Sequence, residues 1–340
     1  MSDADRRAVA AWLLVSAALV LAMVVVGGIT RLTRSGLSIV EWQPLIGALP
    51  PLSHADWEAL FAKYRETPEF RLVNFAMDLE GFKRIFWWEY VHRLLGRVAG
   101  LVFLLPFLWF LARRKLDAPL AWKLAGVFAL GALQGALGWY MVQSGLVDDP
   151  RVSHFRLTAH LGLAFAILAA ELWIALGLLN ARSRPATAPG LARLAAAIAA
   201  LVFVMALSGG LVAGLRAGSA YNTFPLMNGH LVPPEILMLE PWWQNFLWNM
   251  ATVQFVHRAI AWLLILLVSL FWWRALGAPL APRARIGCHL LLAALAMQVS
   301  LGIATLLLAV PVPVAAAHQA GAVLVFAAAL WTAHELRAIA

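Results

Sequence analysis

The chain has 340 residues, 63% of them hydrophobic and 13% charged, with a formal net charge of +9 and a single cysteine, Cys288. Water-soluble globular chains run at about 45–50% apolar and about 25% charged residues, so this composition excludes a soluble enzyme and predicts an integral membrane protein. One cysteine excludes an intrachain disulfide and a cysteine-based metal cluster.

In chain order, hydropathy predicts eight membrane-spanning helices, near 8–29, 85–111, 120–142, 155–179, 191–214, 248–273, 285–309 and 313–335. Each is about 20 residues or longer, as a hydrocarbon core of about 30 Å requires. Arg6-Arg7 precede the first run, which is too long for the apolar core of a cleavable signal peptide and shows no clear cleavage site. A polar stretch, 30–84, separates the first two spans, and another, 215–247, rich in Pro, Asn and Trp, separates the fifth and sixth. Lysine and arginine gather on one side, at Arg6, Arg7, Arg113, Arg114, Lys115, Arg182, Arg184, Arg274, Arg283 and Arg285, while the two long loops balance their bases with acids. By the positive-inside rule both termini are expected in the cytoplasm and the long loops outside. The surplus positive charge is thus a topology signal and implies no nucleic-acid partner.

Four landmarks recur in the same order. Gly27-Gly28 and Gly209-Gly210 both open the pattern G-G-x5-R-x-G, closing on Arg34-Ser35-Gly36 and Arg216-Ala217-Gly218. Val91-His92-Arg93 matches Val256-His257-Arg258, and Gln134 to Gly138 matches Gln298 to Gly302. Ala159-His160 matches Ala317-His318. Each half holds four spans, an even number, so the halves share one orientation and relate by an axis along the membrane normal. The expected fold is all-α: two tandem, pseudo-two-fold related four-helix bundles, residues 1–181 and 182–340.

His92, His160, His257 and His318 each lie a few turns inside a span that enters from the outer side. Two imidazoles on facing helices of a bundle suit the axial positions of a haem iron, and the duplication supplies two such pairs, His92 with His160 and His257 with His318. Gly96, Gly100, Gly162 and Gly321 beside them allow close approach of a helix or a flat macrocycle. A single intramembrane histidine can equally serve a neighbouring helix as a hydrogen-bond partner. Four at matching repeat positions favour ligands. His54, His154, His230, His289 and His334 have no such pattern and read as structural or solvated, with His154 the strongest exception.

The pairs differ in one respect. Three residues before His92 stands Glu89, and three before His257 stands Gln254. Ionisable groups inside a membrane are costly and are read as functional by default, so the half with a carboxylate can do acid–base or charge-stabilising work that the amide cannot. The structural alternative is that Glu89 only pairs with Arg93 or a loop arginine. The asymmetry assigns one site to chemistry and the other to electrons.

The motifs Gly-Gly-Ile-Thr-Arg-Leu-Thr-x-Ser-Gly-Leu-Ser at 27–38, Glu-Tyr-x-His-Arg at 89–93, Gln-Gly-x-Leu-Gly-Trp at 134–139, Arg-Leu-x-x-His-Leu at 156–161 and Asn-Thr-Phe-Pro-Leu-Met at 222–227 resemble the haem A synthase family over essentially the whole chain. The resemblance implies an eight-span oxidoreductase of the bacterial inner membrane that oxidises the C8 methyl of haem O to a formyl group by successive hydroxylation. The product, haem A, serves cytochrome oxidase assembly. It further implies that His92 and His160 bind the substrate haem, that Glu89 is the catalytic carboxylate, and that His257 and His318 hold a haem b cofactor passing electrons. A haem O synthase supplying the substrate and an unidentified electron donor are the implied partners, beside the lipid bilayer. Some members carry a cysteine pair in the first outer loop; here 30–84 has none, so the chain resembles the cysteine-free branch.

Arg34 and Arg216, paired by the repeat at the outer rim, are candidates to hold haem propionates, as are Arg93 and Arg258. For all four the alternative is an anchor for loop carbonyls or acids. Trp87, Trp88, Trp242, Trp243 and Trp248 fall where spans meet the interface, as an aromatic belt does. Two other functions fit part of the pattern. A cytochrome b-like electron carrier would stack haems at two depths, and a haem transporter would break its helices near the midplane.

Overall fold

Within hydrocarbon, backbone N–H and C=O groups find no water, so long apolar runs must satisfy them internally as helices. The computed structural model, which describes residues 1–43, 46–180 and 188–337, has eight helices long and apolar enough to cross a bilayer. These are α1 (Asp3–Leu32), α4 (Leu79–Ala112), α5 (Ala118–Gln143), α6 (His154–Leu179), α7 (Pro189–Gly214), α9 (Met250–Leu276), α10 (Pro282–Leu307) and α11 (Val312–Leu336). Three shorter helices, α2 (His54–Arg65), α3 (Pro68–Leu72) and α8 (Asn245–Trp248), lie in the two long connections. Among the described residues no strand forms; Met227 and His230 make an isolated antiparallel bridge.

Local chemistry sets the helix starts. Asp78, Asp117 and Asn249 each accept a hydrogen bond from a backbone N–H of the first turn of α4, α5 and α9. Proline occupies the first turn of α5, α7, α10 and α11, where its missing N–H costs nothing. The eight observed spans match those expected from hydropathy to within about five residues, apart from the start of α4. It begins at Leu79 rather than near 85 because the added turns are held by packing: Phe82, Phe86 and Tyr90 bury against Tyr64 of α2. The described residues of 30–84 accordingly include two folded helices, α2 and α3. Ser53 and Asp56 form a reciprocal capping box at the start of α2.

The chain divides by its internal contacts into two compact units, Val15–Ile167 with Met1, and Ser2–Leu14 with Leu168–Ala340. In the second unit α7 packs on α9, α9 on α10, α10 on α11 and α11 back on α7, a closed ring of four helices. In the first, α4 packs on α5 and on α2. There Thr30 of α1 donates to the carbonyl of Trp88 on α4 at 3.2 Å, and Gln134 of α5 donates to the carbonyl of His160 on α6 at 3.0 Å.

Candidate functional site

The four landmark histidines sit two to a unit, and each unit brings its own pair together. His92 and His160 lie within electrostatic reach of one another, as do His257 and His318. Every one of these rings is seated against a glycine of a neighbouring helix. A Cβ at Gly27 would stand 2.8 Å from Cε1 of His92, one at Gly138 would stand 2.9 Å from Cε1 of His160, and one at Gly302 would stand 2.9 Å from Cε1 of His318. At Gly209 the corresponding distance to Cε1 of His257 is 3.4 Å. Carbon atoms do not approach to 2.9 Å, so three of these seats require glycine and the fourth is slightly looser.

The same geometry explains the recurring Gln-x-x-x-Gly of α5 and α10. Gln134 and Gln298 donate through Nε2 to the carbonyls of His160 and His318, at 3.0 and 2.9 Å. The glycine one helical turn further on, Gly138 or Gly302, then receives the ring. Gln134 Nε2 also stands 3.5 Å from Nε2 of His160, at the limit of a hydrogen bond. Gly321 makes room for the Gln298 amide rather than for a macrocycle, and a Cβ at Gly100 would meet nothing within 4 Å.

The ring nitrogens test whether a haem suits these residues. Nδ1 of His92, His160 and His318 is buried without a hydrogen-bond partner, an uncommon state for a buried polar atom. His257 differs: its Nδ1 lies 2.7 Å from Oγ of Ser208. Among the described residues no three His, Cys, Asp or Glu side chains converge as a bare metal ion would need. Paired imidazoles suffice for haem, whose macrocycle supplies the equatorial nitrogens. The residues fit that group.

Glu89, one turn before His92, is 3% exposed. Its Oε2 accepts from Ser38 Oγ at 2.8 Å and from the Ile39 N–H at 2.9 Å; its Oε1 accepts from Arg93 Nε at 3.1 Å and Nη2 at 2.7 Å. Arg93 also donates to the carbonyls of Ile39 and Glu41, and Arg97 donates to that of Gln43. Trp42 stacks on Trp139 with ring centroids 5.9 Å apart. Four donors hold this buried carboxyl group, and its pairing with Arg93 fastens the chain after α1 onto α4.

The second half builds the same fastening with an amide. Gln254 Nε2 donates to the carbonyl of Ala217, and Arg258 donates to Gln254 Oε1 and to the carbonyls of Tyr221 and Thr223. Asn228 and Gly229, both at positive φ, turn the chain between Met227 and His230, as a two-residue hairpin turn requires. Tyr221 donates to Glu235 Oε2 at 2.8 Å. Burial, then this carboxylate, pushes the Tyr221 phenol up to about 12, and the phenol's hydrogen bond holds the Glu235 carboxyl below its ordinary value.

The four arginines separate. Arg93 and Arg258 spend most of their donors on Glu89 or Gln254 and on loop carbonyls. Arg34 and Arg216 are exposed and stand at φ 53° and 56°, in the left-handed region, where α1 and α7 end. Ser35 N–H bonds back to the carbonyl of Thr30 across Arg34, the helix-ending motif that glycine usually serves. Neither guanidinium has a hydrogen-bond or ion-pair partner among the described residues.

Of the remaining histidines, His54 is exposed near Glu58, His289 accepts from Trp272 Nε1, and His154 is buried with its ring against Phe155. His230 pairs through its backbone with Met227. His334 is fully buried, bonded to Arg337 and edge-on to Trp173. Beside it Glu335 accepts from Asn180 and Trp331 and lies 3.4 Å from Arg283, tying the ends of α6, α10 and α11. Ser208 and the histidine-seating role of the glycines are the elements the sequence reading did not single out. The signal was present, since all four glycines fall inside the repeated landmarks.

A family model described as Cytochrome oxidase assembly protein, COX15-CtaA, matches residues 10–330. The chain is 62% identical over 337 residues to the "Heme A synthase" of Nitrosospira multiformis, covering 98% of this chain and 95% of that protein. It is 57% identical over 332 residues to the "Heme A synthase" of Nitrosomonas eutropha, covering 96% and 93%. With that of Parvibaculum lavamentivorans it shares 49% over 335 residues, covering 98% and 96%.

Proposed function

Because the chain belongs to the COX15-CtaA family of cytochrome oxidase assembly proteins, we propose that it oxidises the C8 methyl group of haem O to the formyl group of haem A by successive hydroxylation. It is a membrane-bound oxidoreductase of haem A biosynthesis. The observation that carries the assignment of sites is an asymmetry between two matched halves. Each holds a pair of imidazoles seated on repeat-related glycines, and one half alone has a carboxylate one turn before its first histidine.

In this reading His92 and His160 bind the substrate haem and His257 and His318 hold haem b. When bound, haem b supplies one-electron transfer. Glu89, held by four donors, contributes a fixed negative charge beside the substrate, suited to stabilising positive charge that develops on the reacting carbon. Arg93 straps Ile39 and Glu41 beside this carboxylate, and Trp42 of the same segment stacks on Trp139. Arg34 and Arg216, with free guanidiniums at repeat-related positions, are placed to take haem propionates; a glycine would end either helix with less strain, which supports a role for the side chain. Arg93 and Arg258, most of whose donors are already committed, act on propionates at most through those left over.

The functional halves are then 1–181 and 182–340, with their boundary outside the described residues, in the bacterial inner membrane with both termini cytoplasmic and the haem sites toward the periplasm. The distribution of lysine and arginine supports that orientation. Haem O from a haem O synthase and an unidentified electron donor complete the reaction. The test is turnover by the purified protein supplied with haem O and reductant: wild type forms haem A, and Glu89→Ala retains its haem yet forms none. Normal haem A formation by Glu89→Ala would make the carboxylate structural.

A further inference from the structure

We infer that Ser208 is a positioning residue for the C-terminal haem: its hydroxyl oxygen accepts a hydrogen bond from the Nδ1–H of His257, fixing the ring and making that ligand electron-rich. The inference rests on the proposed placement of haem b on His257 and His318. Ser208 Oγ lies 2.7 Å from His257 Nδ1 and 2.8 Å from the carbonyl oxygen of Met205. A hydroxyl has one proton to give, and a carbonyl can only accept. With the proton donated to Met205, the Oγ lone pair is left for an N–H, and both contacts are satisfied only if His257 carries its proton on Nδ1. Nε2 then presents a bare lone pair, the state an iron ligand needs.

The contact is confined to one ring of four. The residue before the seat glycine is Ser208 for His257, but Val26 for His92, Leu137 for His160 and Leu301 for His318. None of those can accept a hydrogen bond through its side chain, and the Nδ1 atoms of the other three rings have no partner. A second hydrogen bond behind a metal-bound imidazole fixes its orientation and raises its basicity. A more basic ligand favours the ferric over the ferrous state and lowers the midpoint potential. The half read as the cofactor site therefore has a ligand held by a second bond through Nδ1, while neither ligand of the half read as the substrate site has such a bond at Nδ1, as suits a haem that must come and go.

The experiment is a potentiometric titration of the purified, haem-loaded full chain, with electron paramagnetic resonance of the ferric state. Ser208→Ala is expected to keep a low-spin haem b and to raise its midpoint. A change of about tenfold in ferric-state stabilisation corresponds to about 59 mV for one electron. Ser208→Thr, which keeps the hydroxyl, is expected to retain the wild-type midpoint. An unchanged midpoint and unchanged g values in Ser208→Ala, with haem b bound, would overturn the inference. Should Ser208→Ala release its haem, Ser208→Thr decides: wild-type retention and midpoint support the role, and equal loss refutes it. Failure of the underlying assignment is recognised separately, because it would leave the haem b spectrum intact in His257→Ala.

Discussion

The two halves of this protein solve one structural problem twice and differ where function must. In each, an arginine one residue after a histidine straps the chain that leaves the preceding helix: Arg93 to Ile39 and Glu41, Arg258 to Tyr221 and Thr223. In each, the residue one turn before that arginine completes the strap, but it is Glu89 in one half and Gln254 in the other. An amide thus suffices to hold a loop. The carboxylate in the first half is buried at the cost of desolvation, which supports the catalytic role proposed for it. The second difference runs the other way, with Ser208 behind His257 where Val26 stands near His92. The two halves share their supports and differ in the groups beside the paired histidines.

The largest expected effect breaks the symmetry outright. His257→Ala or His318→Ala should abolish the low-spin haem b spectrum of the purified protein, while His92→Ala and His160→Ala leave it in place; spectra of the four variants decide this. Next comes Glu89→Gln, which gives the first half the amide of the second. The strap should survive, since Gln254 supports the equivalent one, and haem should remain bound. Turnover of haem O should fall about 10²–10³-fold, the loss usual when one preorganised electrostatic group is removed. Turnover within a factor of two of wild type would assign Glu89 to the strap alone.

Glycine substitutions sharpen the comparison further. Gly138→Ala and Gly302→Ala would drive a methyl to 2.9 Å from a histidine ring and should cost most of the haem in the respective site. Gly209→Ala meets His257 at 3.4 Å and should cost less, as haem-to-protein ratios after purification would show. Arg34→Gly separates stability from binding. It should relieve roughly 1 kcal/mol of left-handed backbone strain, raising thermal stability, and still weaken retention of the substrate haem. A variant that is more stable and binds haem O normally would remove Arg34 from the site.

The smallest effect is one of pH on the second loop. The folded Glu235 carboxyl lies below its ordinary 4.5, so its contribution is present above that value and is lost as pH falls below it. The Tyr221 phenol is raised from 10.0 to about 12, so its contribution is present below pH 10 and is lost as pH rises through about 12. Proteolytic nicking within 215–247 should therefore be slowest between these limits, and Tyr221→Phe should narrow the difference at the acid edge.

Much of this was legible in the sequence. Eight apolar runs fix eight helices because hydrocarbon leaves the backbone no alternative, and the repeated His92/His257 and His160/His318 landmarks named both pairs. The early start of α4 was not legible, since its extra turns depend on Phe82 packing against Tyr64 of α2, a contact between segments that hydropathy treats as one polar stretch. Of the four arginines, the sequence could list the alternatives but not divide them. That division needed the left-handed φ of Arg34 and Arg216 and the carbonyls facing Arg93 and Arg258. Ser208 escaped because a serine in an apolar helix carries no signal until the ring beside it is placed.

The central claim, two unlike haem sites in matched halves, is tested most directly by haem content. The wild type, His92→Ala and His257→Ala proteins would be purified from cells supplying haem O, and their extracted haems separated by chromatography. The account predicts haem b together with haem O or its oxidised products in the wild type. It predicts loss of haem O and its products but not haem b in His92→Ala, and loss of haem b in His257→Ala. Haem b alone in the wild type despite available haem O, or loss of the same haem from both variants, would contradict it.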